Sequence, residues 1–232
     1  KLTLGGGMAV QHAVAERWKK TTRVPLIEAY GLTETSPAAI MNPMNTREFN
    51  GMIGLPIPNT EAQIRDADGQ VLNAGERGEL FIRGPQVMKG YWQQPAASKE
   101  VLGDDGFLAT GDIAIMQASG FFQIVDRKKD MILVSGFNVY PNEVEDIVAD
   151  HPDVLEVACI GVADEKTGEA VKLIVVRKNP QLSAEQIIEF CRGKLTNYKI
   201  PRSVEFRDSL PKSNVGKILR RELREASTKE PS

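Results

Sequence analysis

The sequence predicts a mixed α/β and α+β protein, and three features of the chain support this fold class. Residues 1–30 follow a strand, glycine turn, helix and strand pattern, which is typical of a parallel βαβ unit. Residues 60–125 contain short strands separated by turn residues, which favour a small β-barrel or a curled sheet. Beyond residue 127 helical and strand patterns mix, as expected for a small α+β domain. We therefore predict two domains, residues 1–126 and 127–232.

Composition is ordinary for a soluble globular protein, with 41% hydrophobic and 26% charged residues. A formal net charge of −2 gives no reason to expect a nucleic acid or an acidic membrane surface as partner. Cys159 and Cys191 lie in apolar stretches without metal-ligand or disulfide spacing, which indicates buried thiols in a reducing compartment. No apolar run has membrane-spanning length. The chain opens at Lys1 within a strand pattern, so we expect it to be part of something longer.

The βαβ pattern places polar groups at the end of its second strand. The first strand leads into Gly5, Gly6 and Gly7, and the second, residues 25–30, ends in Tyr30-Gly31-Leu32-Thr33-Glu34-Thr35. Ligands of open α/β sheets gather at the carboxyl ends of strands, so this segment is a candidate binding loop. Two alternatives stay open. The glycines also suit a plain tight connection, and Thr33 or Thr35 could serve only to bond the local backbone.

Residues 36–59 show no clear period and carry four prolines, which indicates a functional loop or a missing neighbour. Strands are then predicted at residues 61–65 and 78–83, with a short helix near residues 95–101. A hairpin is predicted from residues 112–116 and 121–125. Just before it, Thr110-Gly111-Asp112 is a small polar turn suited to presenting a carboxylate.

Five consecutive charged residues, Asp126 to Asp130, separate two apolar strand patterns. They could be a solvated turn of mixed charge. The segment after them differs in composition, however, which indicates a junction between domains. Further on, Pro141 suits the first turn of a helix. Residues 157–162 and 171–176 are predicted strands, and Ser183 to Gln186 has capping-box spacing. A terminal basic helix follows Lys217.

Several of these motifs occur in the order found in one enzyme family. The run from Asp105 to Glu145, with Asp-Arg-Lys-Lys-Asp followed by Ser-Gly-Phe-Asn-Val-Tyr-Pro, resembles the acyl-adenylate-forming enzymes. These include acyl-CoA synthetases, peptide-synthetase adenylation domains and luciferases, and the motif is most similar to bacterial long-chain fatty-acid-CoA ligases. The resemblance covers the C-terminal part of such an enzyme. It implies that residues 1–126 are the end of a large AMP-binding domain and residues 127–232 a lid domain.

The resemblance implies an ATP-dependent ligase. Such an enzyme adenylates a long-chain fatty acid with ATP and Mg²⁺, then transfers the acyl group to CoA and releases AMP and pyrophosphate. The family's phosphate-embracing loop and most of its acyl pocket are absent from these residues, so we expect the chain alone to be inactive. The implied partners are small molecules. A cytoplasmic location is implied, and peripheral association with the inner membrane and a homo-oligomer stay open. Two alternatives are a peptide-synthetase domain that loads a carrier protein and a non-catalytic module of the same fold.

The resemblance also implies roles for particular residues. Gly5, Gly6, Gly7, Tyr30 and Gly31 would line the nucleotide pocket, with Tyr30 stacked on adenine. Thr33 would bond phosphate and Glu34 would help to hold Mg²⁺. Asp112 would grip both ribose hydroxyls, which needs an acceptor with two oxygens, and Arg127 would be its partner. Lys217 would be the catalytic cation of adenylation. Lys129 would be the hinge between two poses of the lid, and Ser135 and Gly136 would border the path of CoA.

Overall fold

Contacts between residues divide the chain into two units, Lys1–Val125 and Asp126–Ser232. The computed structural model describes residues 2–7, 10, 12–214 and 216–229. These ranges contain five α-helices and thirteen strands, and the strands form three sheets. No described helix is long and apolar enough to cross a membrane.

The first sheet contains the predicted strand–helix–strand unit, which the structure confirms. Leu4 of the first strand lies opposite Ile27 of the second, and the two strands are parallel. Two antiparallel strands extend the sheet in the order β1-β2-β3-β4. They lie within residues 36–59, where the sequence shows no strand period. The elements are β1 (Thr3–Gly5), α1 (His12–Thr22), β2 (Leu26–Gly31), β3 (Ala38–Met41) and β4 (Leu55–Pro56).

The second sheet is open, so the small β-barrel is wrong and the alternative of a sheet that does not close is the one observed. Its four strands follow the chain in the order β5-β6-β7-β8. The outer strand β8 does not close onto β5 but bonds to the segment before β4. The Phe122 carbonyl accepts from the Ile53 amide at 2.9 Å, and the Phe122 amide donates to the Gly54 carbonyl at 2.8 Å. Apolar side chains of both sheets then share one core. The elements are β5 (Glu61–Arg65), β6 (Arg77–Arg83), α2 (Pro95–Val101), β7 (Leu108–Met116) and β8 (Phe122–Arg127).

The second unit is built on a five-stranded sheet. Its strands lie in the order β10-β9-β12-β11, and β13 pairs in parallel with β12. The predicted capping box is present, since the Gln186 amide donates to Ser183 Oγ at 3.3 Å and the Ser183 amide donates to Gln186 Oε1 at 2.9 Å. The elements are β9 (Ile132–Val134), β10 (Phe137–Val139), α3 (Pro141–Ala149), β11 (Val154–Asp164), β12 (Gly168–Arg177), α4 (Ala184–Arg192), β13 (Ser203–Phe206) and α5 (Arg220–Lys229).

Helices cover both faces of this sheet. Side chains alternate along a strand, so β11 sends Val157 and Cys159 to one core and Ala158 and Ile160 to another. The first core is completed by apolar residues of α3 and α4, and the second by Leu223 of α5. Cys159 and Cys191 are buried and free, as the sequence predicts.

Candidate active site

The segments predicted to bind a nucleotide lie at one edge of the first sheet. Because β1 and β2 are parallel, their carboxyl ends meet at the same edge, where Gly5 to Gly7 and the loop after Gly31 follow them. A Cβ on Gly5 would lie 2.5 Å from Leu26 Cδ2, and one on Gly6 would lie 3.0 Å from the Ala29 carbonyl oxygen. The glycines therefore let the chain leave β1 close against β2.

Tyr30 and Asp112 are joined directly, although 82 residues separate them. Tyr30 Oη donates to Asp112 Oδ2 at 2.6 Å. Asp112 is buried, with 5% of its surface exposed. Buried carboxylates need hydrogen-bond partners, so the phenol of Tyr30 stabilises the carboxylate of Asp112. The contact brings the two predicted nucleotide-binding motifs of the first unit into one site.

A bulge in β7 aims Asp112 at this site. Glu79 pairs with Ile113 and Phe81 with Ala109, so Leu80 faces three residues, 110–112. Bulges of this kind redirect side chains and are common beside active sites. Thr110 Oγ1 donates to the Leu80 carbonyl at 2.7 Å and accepts from the Asp112 amide at 3.2 Å. The polar turn predicted to present a carboxylate does so through this bulge.

Glu34 is positioned by a residue to which the sequence assigns no role. It lies in a 3₁₀ turn at residues 33–35, and Tyr91 Oη donates to Glu34 Oε1 at 2.8 Å. The Met88 amide also donates to the Glu34 carbonyl at 2.8 Å. The hydrogen bond to Glu34 raises the pKa of Tyr91, so the phenol stays protonated and donates. Tyr91 follows Gly90 in a polar loop, and no local sequence pattern pairs it with a residue 57 positions earlier.

The two threonines of the loop behave differently. Thr35 is fully buried, and its hydroxyl bonds the backbone of Leu32 and Pro37. Thr33 is exposed. The purely local alternative therefore fits Thr35, and Thr33 faces solvent, where a ligand could reach it. Gly31 has a packing reason of its own, because a Cβ there would lie 1.5 Å from the Pro37 carbonyl oxygen.

Glu34 could take part in holding Mg²⁺ together with substrate phosphates. In the described part of the chain, no group of three or more His, Cys, Asp or Glu side chains could hold a metal. Mg²⁺ usually keeps several waters and takes one or two carboxylates plus substrate phosphates. Glu34, a half-buried carboxylate at the strand ends, fits that mode.

The remaining predicted residues belong to the second unit. Arg127 ends β8, and its amide donates to Asp126 Oδ1 at 2.7 Å. Lys129 is exposed in a 3₁₀ turn at residues 128–130. Ser135 and Gly136 have φ angles of 51° and 83° and connect β9 to β10. A two-residue hairpin turn of the primed type needs positive φ at both positions, which accounts for the glycine.

Lys217 lies in a short hairpin that precedes α5. The Ser213 amide donates to the Lys217 carbonyl at 2.8 Å, and the Lys217 amide donates to Ser213 Oγ at 3.2 Å. Lys212 and Ile218 form an antiparallel bridge across the hairpin. Its backbone is thus held while the Lys217 side chain is exposed.

Comparison with known proteins identifies the family. The family model for the AMP-binding enzyme matches residues 1–92, and the family model for the AMP-binding enzyme C-terminal domain matches residues 143–217. The chain belongs to the AMP-binding enzyme family. A long-chain-fatty-acid–CoA ligase of Yersinia pestis is 58% identical over 229 residues, which cover 99% of this chain and 41% of that protein. The chain thus spans about two-fifths of the length of that relative.

Solved structures agree with this assignment. ATP-bound MatB from Rhodopseudomonas palustris matches with a TM-score of 0.92 and 34% identity, over 98% of this chain and 46% of that one. The anthranilate CoA ligase AuaEII, in complex with anthranoyl-AMP, matches with a TM-score of 0.82 and 32% identity, over 96% of this chain and 44% of that one. Both solved structures therefore support the fold and the family assignment of this chain.

Proposed function

We propose that this chain is the C-terminal part of an ATP-dependent fatty-acid-CoA ligase. The observation that carries the proposal is the 58% identity to the Yersinia pestis ligase over 99% of the chain. The complete enzyme would adenylate a long-chain fatty acid, release pyrophosphate, and then transfer the acyl group to the thiol of CoA with loss of AMP. In this proposal residues 1–126 end the large AMP-binding domain and residues 127–232 are the lid domain.

The first unit would hold the nucleotide. Gly5, Gly6 and Gly7 would form a backbone wall, and the ring of Tyr30 would stack on adenine while its hydroxyl holds Asp112. Asp112 Oδ1 would accept a hydrogen bond from one ribose hydroxyl. Asp112 Oδ2 would accept one from the other if Tyr30 gave up its own bond to that oxygen. Thr33 would bond phosphate. The half-buried Glu34, oriented by Tyr91, would hold Mg²⁺, which when bound would offset the negative charge of the phosphates.

The second unit would supply the cation and the path of CoA. Lys217 would lie against the fatty-acid carboxylate and the α-phosphate, where charge develops during adenylation. A compact, flexible ammonium suits charge that migrates between two groups. Arg127 would join Asp112 at the ribose. Lys129 would be the hinge about which the lid changes pose, and the turn at Ser135 and Gly136 would border the pantetheine chain.

The experiment uses a complete enzyme in which the upstream portion of the Yersinia pestis relative precedes residue 1. We expect ATP-dependent formation of acyl-CoA from hexadecanoic acid in preference to octanoic and benzoic acids. The 232-residue chain alone should release no pyrophosphate above background, because it lacks the phosphate loop and most of the acyl pocket. Activity with a carrier protein but not with CoA would favour the peptide-synthetase alternative, and no adenylation of any acid would refute the proposal.

Separate assays of the two half-reactions test the roles in the second unit. Lys217→Ala should lower adenylation on the order of 10²–10³-fold, as for the loss of one preorganised donor. It should leave the conversion of supplied acyl-AMP to acyl-CoA nearly unchanged. Lys212→Ala in the same hairpin is the matched control and should slow neither step. Lys129→Pro should slow mainly the second step, because a fixed φ hinders a change of pose. Equal slowing of both steps by Lys217→Ala and Lys129→Pro would refute both roles.

Cellular location and assembly are further parts of the proposal. We infer a cytoplasmic enzyme with fatty acid, ATP and CoA as its partners. Peripheral association with the inner membrane and a homo-oligomer are predictions from the family resemblance alone. Vesicle flotation and sedimentation of the complete enzyme test them.

A further inference from the structure

A cluster of buried charges joins three segments of the second unit that are distant in sequence. Asp126 and Asp130 are the two ends of the charged run, Glu145 lies in α3, and Arg220 and Arg224 lie in the first turns of α5. Asp126 is 1% exposed and Asp130 is 7% exposed. Buried charges persist only when they are paired and hydrogen-bonded, so such a cluster fixes the relative positions of the segments that supply it.

Arg220 is the centre of this cluster. Its Nε and Nη2 donate to the two oxygens of Glu145 at 3.0 and 2.6 Å, and Nη2 also donates to Asn142 Oδ1 at 2.6 Å. On its other side Nη1 lies 3.6 Å from Asp130 Oδ2. The planar guanidinium can serve both sides at once, which an ammonium cannot do with fixed geometry.

The partners of Arg220 are themselves anchored. Glu145 Oε1 also accepts from the Cys159 amide of β11 at 2.7 Å. Asp130 Oδ1 accepts from Arg224 Nη2 at 2.9 Å. Burial alone would lower the pKa of Arg220, but its hydrogen bonds to Glu145 and the charges of Glu145, Asp126 and Asp130 raise it. The guanidinium therefore stays charged.

Arg220 follows directly after the hairpin that carries Lys217. The Leu219 amide donates to the Pro211 carbonyl at 2.9 Å, which closes the base of the hairpin next to Arg220. The Arg220 side chain thus connects three parts of the second unit. They are the base of the Lys217 hairpin, the first turns of α3 through Asn142 and Glu145, and the charged run at residues 126–130, here called the joint, through Asp130.

We propose that Arg220 is a positioning residue for Lys217: it locks the lysine hairpin to the joint at residues 126–130, so that the second unit carries Lys217 as one rigid body. The inference rests on the proposed function, in which the unit changes pose between the two half-reactions. A change of pose at the joint places Lys217 correctly only if nothing gives way between the joint and the hairpin. Arg220 has no role against the substrate itself.

The expected effect follows from the cost of misplacement. A shift of about 1 Å in a reacting group can cost on the order of 10²-fold in rate. Arg220→Gln should therefore lower adenylation roughly 10- to 100-fold, less than the loss of Lys217 itself, with little change in the use of supplied acyl-AMP. The double variant Lys217→Ala/Arg220→Gln should adenylate at nearly the same rate as Lys217→Ala alone, because Arg220 acts only through the lysine.

Arg221→Gln is the matched control. Arg221 is the neighbouring arginine, its side chain is 83% exposed, and it pairs across one helical turn with Glu225 at 3.5 Å. Its substitution removes the same charge at the same end of α5 without touching the cluster, and both half-reactions should stay unchanged. Arg220→Gln leaves buried carboxylates uncompensated and can fail to fold. Asp130→Asn is therefore the second variant, since it frees the joint side and leaves the pairing with Glu145 in place.

Hydrogen–deuterium exchange of the 232-residue chain tests the link without any catalysis. We expect faster exchange in residues 211–219 and 126–131 together in Arg220→Gln and in Asp130→Asn, and no change in Arg221→Gln. Coupled loss of protection, with selective slowing of adenylation in the complete enzyme, supports the proposal. Any of three results overturns the proposal. They are unchanged exchange in both segments, equal slowing of both half-reactions in folded variants, and full additivity of Arg220→Gln with Lys217→Ala. Inactivity of the unsubstituted complete enzyme counts against the proposed function instead, and the exchange result still decides the link.

Discussion

Glu28 makes the stability of the first unit depend on pH. It lies in β2, 8% of its surface is exposed, and its Oε2 has no hydrogen-bond partner in the described part of the chain. Burial raises the pKa of Glu28 from 4.5 to about 7, and a hydrogen bond from the Val10 backbone opposes this rise. The native state therefore binds a proton that the unfolded chain releases at lower pH. We predict that Glu28→Gln, which has the shape of the protonated acid, removes this dependence.

The sign and size follow from proton linkage. Below pH 4.5 the acid is protonated in both states and costs nothing. As pH rises from 4.5 to about 7 the unfolded state loses its proton first, so the free energy of unfolding falls, and above pH 7 the loss is complete. At about 1.4 kcal/mol per pH unit, the loss reaches about 3 kcal/mol at most. Glu28→Gln should therefore be more stable than the parent by up to that amount at pH 8, and nearly equal to it at pH 4.5.

Intrinsic fluorescence isolates this effect, because both tryptophans of the chain, Trp18 and Trp92, lie in the first unit. Denaturant unfolding at several pH values between 4.5 and 8 gives the free energy of unfolding of each variant. Glu100→Gln is the matched control, since Glu100 is exposed on α2. Parallel curves for Glu28→Gln and the parent across this range would refute the reasoning, as would an equal gain from Glu100→Gln.

Three further predictions concern both units. Leu223→Ala should lower the free energy of unfolding of the second unit by about 2–5 kcal/mol, because Leu223 is fully buried against the sheet; far-UV circular dichroism during denaturation measures this, and a loss under 1 kcal/mol would contradict it. Trypsin should cut first after Lys128 or Lys129, which are exposed beside the boundary between the units; mass spectrometry identifies the cut, and earlier cleavage elsewhere would argue against an open joint. Tyr91→Phe should raise the Mg²⁺ concentration for half-maximal adenylation several-fold in the complete enzyme, with the rate at saturating Mg²⁺ less affected; an unchanged requirement would contradict the role of Tyr91 in orienting Glu34.

Local patterns were sufficient for the elements whose signals are local. The glycine turn between two apolar strands predicted the parallel pair β1 and β2, and the structure confirms it. The two β-branched runs near residues 160 and 174 predicted β11 and β12, and the capping box predicted α4. In each case the residues that set the conformation lie within a few positions of one another, so a single sequence contains the whole signal.

The errors arose where distant partners decide the outcome. The strand patterns of residues 60–125 did not specify closure, and the hydrogen bonds of Phe122 to Ile53 and Gly54 leave the sheet open. The short strands β3 and β4 form within a proline-rich stretch because β2 offers an edge to β3, and β3 in turn offers one to β4. The bulge at residues 110–112 also depends on the register against β6, which the turn residues do not reveal.

The charged run at residues 126–130 explains why the site could be predicted only in part. From the sequence its five residues are equivalent charges, and both a solvated turn and a junction are consistent with them. The structure separates them: Lys128 and Lys129 are exposed, whereas Asp126 and Asp130 are buried. Asp126 Oδ2 accepts from the Asn142 amide at 2.7 Å, and Asp130 pairs with Arg224, 94 positions later in the chain.

These anchors also limit where the second unit could change its pose. Asp126 is held to the start of α3, and Asp130 is held to α5, so neither end of the run can turn without breaking buried polar contacts. Breaking one buried charged pair costs several kcal/mol, far more than a rotation of backbone dihedrals within allowed regions. Because both anchors lie within the second unit, a rotation at residues 127–129 would itself separate Asp126 from the Asn142 amide. A hinge at Lys129, which the family resemblance alone proposes, therefore requires that this hydrogen bond break when the unit changes pose.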